Sequence, residues 1–262
     1  MKSKKNFSPE IRCYESLSDD FEATKNQGFR LEGNYEWIYD KSFPKKIFSS
    51  LLYALAWSFG ALYCKLFLHV KIKKSKAIKD FKGQGFFLYG NHTQPVGDVF
   101  IPALVCGTKH IYTICSPSNL GLAVIGKLLP IIAALPIPDK ASQLSDFKAA
   151  VFKRIEEGKC VVIYPEAHVW EYFTEIRPFS SASFYFPCKS LTPCFCMTTT
   201  YQRRKRGTKP KATVYIDGPF YPDERLKKKQ RQEKLKNEMS ECMKKRSQRS
   251  NYEYIVYKEK RK

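Results

Sequence analysis

The fold turns on one stretch, Phe86-Phe87-Leu88-Tyr89-Gly90-Asn91-His92-Thr93-Gln94-Pro95-Val96-Gly97-Asp98. Four large apolar residues stopped by Gly-Asn are too few for a core helix and fit a short buried strand. A histidine and an aspartate follow it in a loop, ahead of a helix expected over Val99–Val105. The same form recurs where Cys160-Val161-Val162-Ile163-Tyr164 runs straight into Pro165-Glu166-Ala167-His168-Val169-Trp170. Two strands that each end in a chargeable residue place chemistry at one edge of a sheet, where sites in open α/β sheets form.

Working outward, Ile111–Cys115, Thr192–Thr200 and Ala212–Ile216 read as further strands, and the apolar run Ile131–Ile137 ends at Pro138-Asp139. Ala123–Leu129 and Ser145–Glu157 read as helices, the second spacing Phe147, Ala150, Val151, Phe152 and Ile155 helically and stopping at Gly158. This alternation predicts an α/β fold with a mixed, largely parallel sheet flanked by helices. Four regions are expected: an N-terminal appendage (1–43) packing on the main domain or lying at an interface, an apolar helical segment (44–74), the α/β domain (75–223), and a basic helix with a polar tail (224–262). In the last, Leu235, Met239, Cys242 and Met243 make a narrow stripe among lysines and arginines. It fits a solvated helix packed lightly on the domain, or a surface for anionic headgroups.

The apolar segment opens at Pro44-Lys45-Lys46, carries no charge from Ile47 to Cys64, and is closed by Lys71, Lys73 and Lys74. At about 18 residues it is near the short limit for a bilayer span. A buried core helix, a span, and a helix lying in or re-entering one leaflet all remain open. Lysines at both ends favour the last, with Trp57 and Tyr53 suited to headgroup depth.

Across 262 residues, 46 Lys and Arg against 25 Asp and Glu give a net charge of +21, which calls for an anionic partner. The 43% hydrophobic and 15% aromatic content excludes a mainly disordered chain. Nine scattered cysteines and four histidines nowhere fall at metal-ligand spacing; reduced, buried thiols are expected, and no metal. The first forty residues show no signal-peptide pattern. Arg203-Arg204-Lys205-Arg206 looks like a nucleic-acid patch, but so short a run is unspecific, and no nucleic-acid partner is expected.

His92 has the chemistry of a general base near neutral pH, and Asp98 could accept the imidazole's other N–H. A structural histidine and an N-cap aspartate are the plain alternatives. Glu166 could equally cap a helix beginning at Ala167.

Taken in order, these strings resemble the glycerophosphate and lysophospholipid acyltransferase family over roughly Phe86 to Pro222. The resemblance rests on Asn91-His92-Thr93-Gln94-Pro95-Val96-Gly97-Asp98, on Leu135-Pro136-Ile137-Pro138-Asp139-Lys140, on Tyr164-Pro165-Glu166-Ala167-His168-Val169-Trp170, on the strand Leu191–Tyr201 with Pro193, and on Asp217-Gly218-Pro219. It implies acyl transfer from an acyl thioester, on coenzyme A or possibly acyl carrier protein, to a hydroxyl of a lysophospholipid, by default lysophosphatidic acid. His92 and Asp98 would be catalytic, with an N–H donor near the strand end holding the oxyanion. Asn91, Lys140, Tyr164, Pro165, Glu166, His168 and Arg177 would bind substrate, Lys140 as a point charge where the family has arginine. Glu166 would contact the acceptor's head or hold the loop carrying it. No cofactor is implied beyond the thioester co-substrate; membrane lipids are the partners, at the cytoplasmic face of a membrane.

Three departures stand out. Five residues separate His92 from Asp98 where the family has four, so both must come from a loop, with Asp98 starting the helix while its side chain turns back. Ala167-His168-Val169 replaces Gly-Thr-Arg, leaving Arg177 or His168 to stand in for the arginine. Ser180-Ser181-Ala182-Ser183 replaces the family's small-residue turn. Three further classes remain: a non-catalytic basic protein binding anionic lipid surfaces, a nucleic-acid-binding protein, for which the sequence offers no recognised fold, and a hydrolase using His92 and water.

Overall fold

The computed structural model describes residues 7–22, 28–40, 42–73 and 76–260. Lys74, expected to close the apolar segment, lies outside the described residues. Seven strands form the main sheet in the order β2 (Lys71–Lys73), β8 (Lys211–Phe220), β7 (Cys194–Gln202), β3 (Phe86–Gly90), β6 (Cys160–Ile163), β4 (Ile111–Cys115), β5 (Ala134–Pro136). From β7 to β5 all neighbours are parallel; β8 is antiparallel to β7, and β2 runs parallel to β8. This is the mixed, largely parallel α/β sheet expected.

Strand periodicity divides the core. Phe87, Tyr89, Val161, Ile163, Cys194 and Cys196 face one layer, with α5 (Leu144–Glu156) and α7 (Lys228–Ser247). Phe86, Leu88, Cys160, Val162, Phe195 and Met197 face the other, with α3 (Gly97–Cys106) and the inner side of α1 (Phe43–Leu66). Covered on both faces, the central strands have no polar alternation, which is why they read as continuous apolar runs. In the second layer Lys109 donates to the carbonyls of Lys82, Gln84 and Gly158, holding three loops at one end of the sheet.

α1 is not a core helix: its buried residues are Ser49, Gly60 and Cys64 alone. Its length and composition suffice to cross a membrane. The inner side is nonetheless specific. Ser49 Oγ donates to Ile131 O at 2.5 Å, Tyr53 stacks on His110, and Trp57 Nε1 donates to Ala103 O at 3.3 Å. Gly60 admits the ring of Phe100, with which a Cβ would collide. Of the two residues expected at headgroup depth, Tyr53 therefore faces protein, while Trp57 stays 36% exposed beside its bond to Ala103. Lys71 and Lys73 belong to strand β2 of the sheet rather than to the end of the apolar helix.

Both chain ends hold elements the sequence did not reveal. β1 (Glu10–Tyr14) pairs in parallel with β9 (Ile255–Glu259), so the tail after the basic helix ends in a strand. The N-terminal region packs on the domain: Trp37 donates to Pro136 O, and Asp40 pairs with buried Arg154.

Candidate active site

The site forms where β3 leaves the sheet between β6 and β7. Asn91 continues the pairing with its side chain, accepting from Thr199 N at 2.8 Å and donating to Thr199 O at 3.0 Å. Beyond it the backbone is held on every side. His92 N donates to Glu166 Oε2 at 3.0 Å, Trp170 N donates to His92 O at 3.0 Å, and Tyr172 N donates to Thr93 O at 2.9 Å. From β7, Tyr201 reaches across with its hydroxyl 2.7 Å from Thr93 Oγ1 and 2.9 Å from Gln94 Nε2. A loop that would be free in the sequence is thus fixed by β7 on one side and by the segment after β6 on the other.

Asp98, the second residue of α3, turns its side chain back into that loop as the spacing required. One oxygen, Oδ2, accepts from Thr93 N at 2.8 Å and Gln94 N at 2.9 Å, and lies 2.8 Å from His92 Nδ1. It caps the loop and holds the imidazole together, so capping and orientation are one role. A carboxylate is acceptor-only, so the hydrogen on this contact belongs to Nδ1 and the lone pair to Nε2. The Asp98 side chain is 1% exposed and that of His92 21%, which leaves the imidazole open to a ligand.

Tyr164 completes the packing. Its ring stacks on His92 with centroids 4.4 Å apart, and its hydroxyl donates to Asp98 O at 2.6 Å. Gly90 makes room for that ring, since a Cβ there would lie 2.6 Å from Tyr164 Cε1. Burial pushes the Tyr164 phenol well up, keeping it a donor.

Glu166 and Arg177 form a buried pair beneath the loop. Glu166 accepts from His92 N, from Arg177 N at 2.9 Å and from Arg177 Nη2 at 3.3 Å. Burial pushes its carboxyl up, against the opposing pull of Arg177 and the two backbone donors. Arg177 also donates to His168 O and Leu17 O, and its guanidinium lies 4.9 Å over the Trp170 ring. Ala167, in the turn after Glu166, has φ of 65°. Left-handed backbone of this kind costs a residue with a Cβ about 1–2 kcal/mol, a strain the glycine of the related motif would not carry.

Several expected ligand-binding residues are corrected here. Arg177 and Glu166 are buried and paired with each other, so Arg177 is not open to a phosphate, and Glu166 takes the second of its two expected roles, holding the loop. Asn91 is committed to Thr199, and Pro165 is buried. The backbone N–H groups of His92, Thr93, Gln94, Ala167 and His168 are all bonded within the protein, so none of these five is free to hold an oxyanion. His168 remains accessible, its side chain 40% exposed with Nδ1 3.4 Å from Asp20 Oδ2. Lys140 is exposed four residues past β5, on the same sheet edge but three strands from β3. Val96 and Val99, on either side of Gly97-Asp98, are both exposed. Sequence reasoning missed Tyr201, whose position at the end of a strand carries no local sign of the loop it holds.

No family model matches the chain, and no curated protein matches it in sequence. Among solved structures it is similar to the 1-acyl-sn-glycerophosphate (LPA) acyltransferase PlsC from Thermotoga maritima, with a TM-score of 0.55 over 82% of this chain and 86% of that one, at 13% identity. The likeness is one of fold. Both chains share the mixed α/β sheet flanked by helices, and the roles of individual residues rest on the geometry above.

Proposed function

We propose that the chain is a membrane-associated acyltransferase that moves a fatty acyl group from acyl-coenzyme A or acyl carrier protein to a hydroxyl of a lysophospholipid, with lysophosphatidic acid the default acceptor. One observation carries this reading: a histidine whose Nδ1 is held by a buried aspartate, leaving Nε2 accessible at the end of a parallel strand. The fold likeness to an LPA acyltransferase supports the reaction class.

In this mechanism His92 Nε2 takes the proton of the acceptor hydroxyl as its oxygen attacks the thioester carbonyl. The tetrahedral intermediate collapses with cleavage of the C–S bond, and the imidazolium returns the proton to the departing thiolate. Asp98 stabilises the imidazolium and fixes its tautomer. Glu166 acts through the backbone, setting the height of His92 by holding its N–H. Lys140 and His168 are the accessible groups for the acceptor's phosphate. Val96, Val99 and the outer side of α1 offer the acyl chain apolar surface, and α1 would bring the site to the cytoplasmic face of a membrane.

Purified protein in detergent, given labelled acyl-coenzyme A or acyl carrier protein with a panel of lysolipids, should produce the diacyl lipid. His92→Ala should lower turnover at least about a hundredfold, the usual scale of general-base catalysis, while vesicle binding is kept. Vesicle binding without turnover in the parent protein would leave a non-catalytic lipid-surface protein. Free fatty acid released without acceptor would make it a hydrolase.

A further inference from the structure

The basic hairpin between β7 and β8 has no part in the chemistry above, and its place in the fold is specific. Gly90 pairs with Met197, and β7 runs on to Gln202, carrying the turn about 17 Å past the end of β3 at about 3.3 Å per residue. It grows from the strand whose Tyr201 grips the His92 loop, so it projects beside the site. Arg203, Arg204, Lys205, Arg206, Lys209 and Lys211 stand there with no acidic residue between them.

The hairpin is built rather than loose. Arg203 N donates to Asn251 Oδ1 at 3.3 Å, the Arg203 guanidinium lies over Tyr252, and Tyr252 donates to Thr208 O at 2.8 Å. On the basic tail, by contrast, several cations meet carboxylates: Arg225 and Lys234 on Asp223, Lys236 on Glu233, Lys244 on Glu241, Arg246 on Asp217. Among the described residues, none of the six hairpin cations pairs with a carboxylate. A fixed array of like charges without counter-charges is self-repelling unless an anion lies against it.

Next to it the surface turns apolar. Ala212 N donates to Leu68 O, and Lys71 sits in register with Thr213, so the end of α1 abuts the base of the hairpin. There Leu66 and Phe67 are 54% and 65% exposed, following Lys65. Apolar side chains rimmed by unpaired cations fit a bilayer surface, where the first enter the headgroup boundary and the second meet lipid phosphates. Nucleic acid would use the cations but leave Leu66 and Phe67 without a role.

We propose that the hairpin Arg203–Lys211, together with the α1 end at Leu66-Phe67, is a docking surface for anionic lipid, making membrane contact beside the site depend on headgroup charge. This rests on the reading of α1 as membrane-associated, and it is tested by binding alone so that a failure of the proposed catalysis does not decide it.

The triple variant Lys205→Glu, Arg206→Glu, Lys209→Glu alters exposed loop positions only, and detergent-phase melting checks that it folds. Sedimentation with vesicles of phosphatidylcholine alone, or with 30% phosphatidylglycerol, is compared at low and high salt. The parent protein should prefer the anionic vesicles, and the variant should lose about tenfold or more of that binding with little change on neutral vesicles. Phe67→Ser should weaken binding to both. Equal binding of parent and variant to anionic vesicles overturns the proposal. Release of the parent from anionic vesicles by equimolar RNA would overturn it in favour of nucleic acid.

Discussion

The two longest helices are opposites. α1, the more hydrophobic, buries three residues and turns Leu51, Leu55, Phe59 and Leu62 outward. α7, strongly polar by sequence, buries Leu235, Met239 and Met243 almost completely against β7 and β8. Hydropathy therefore does not report burial in this chain. A narrow stripe at helical spacing is enough to make α7 part of the core. An apolar face on α1 that the protein does not cover calls for some other apolar surroundings. The basic charge differs too: Lys234, Lys236, Lys244 and Arg246 of α7 pair with carboxylates, whereas among the described residues no cation of the β7–β8 hairpin does.

The comparison can be broken most sharply in α7. Met239→Ala should destabilise the protein by about 2–5 kcal/mol, read by urea unfolding in detergent; tolerance of that cavity would mean that α7 is only lightly docked.

A smaller effect tests the inner side of α1. His110 lies against Tyr53, its Nε2 2.7 Å from Ile132 O, and burial pushes its pKa down to about 4. Between that value and the ordinary value near 6.5 the unfolded chain binds the proton and the folded chain does not, so stability falls as pH drops through this window. The loss should reach on the order of 3 kcal/mol by pH 4, from about 1.4 kcal/mol per unit. His110→Gln should flatten that limb of the stability profile. An unchanged profile would mean that α1 does not seal His110 from water.

The smallest effect belongs to the outer side of α1. Leu55→Ala, at a position 69% exposed, should change stability in detergent by no more than about 0.5 kcal/mol while reducing partition into vesicles. A large loss of stability would show that this face is covered within the protein after all.

Much of the sheet was legible because its central strands are short, apolar throughout and stopped by Gly, Asn or Pro. Phe86–Gly90, Ile111–Cys115 and Cys160–Ile163 emerge within a residue of their reading. Boundaries blurred where one apolar run serves two elements: α4 (Ile125–Ile132) extends into the stretch that read as a single segment, leaving β5 only Ala134–Pro136. β1 and β9 were not legible, because each is short, half polar and completed only by the other at the far end of the chain.

Within the site, the meeting of His92 and Asp98 could be anticipated, since Pro95-Val96-Gly97 allows the chain to double back over that distance. The fate of Arg177 could not: a surface arginine and a buried one look alike until a carboxylate and an indole are found on either side of it.

By itself, then, the order of residues determined the central strands, the main helices between them and the candidate base with its acidic partner, because local periodicity and loop length are properties of neighbours in the chain. Tertiary structure alone decided which polar groups are spent inside and which face outward. Burial and pairing arise between segments far apart in sequence, and no local pattern encodes which distant carboxylate, carbonyl or ring a given side chain will meet.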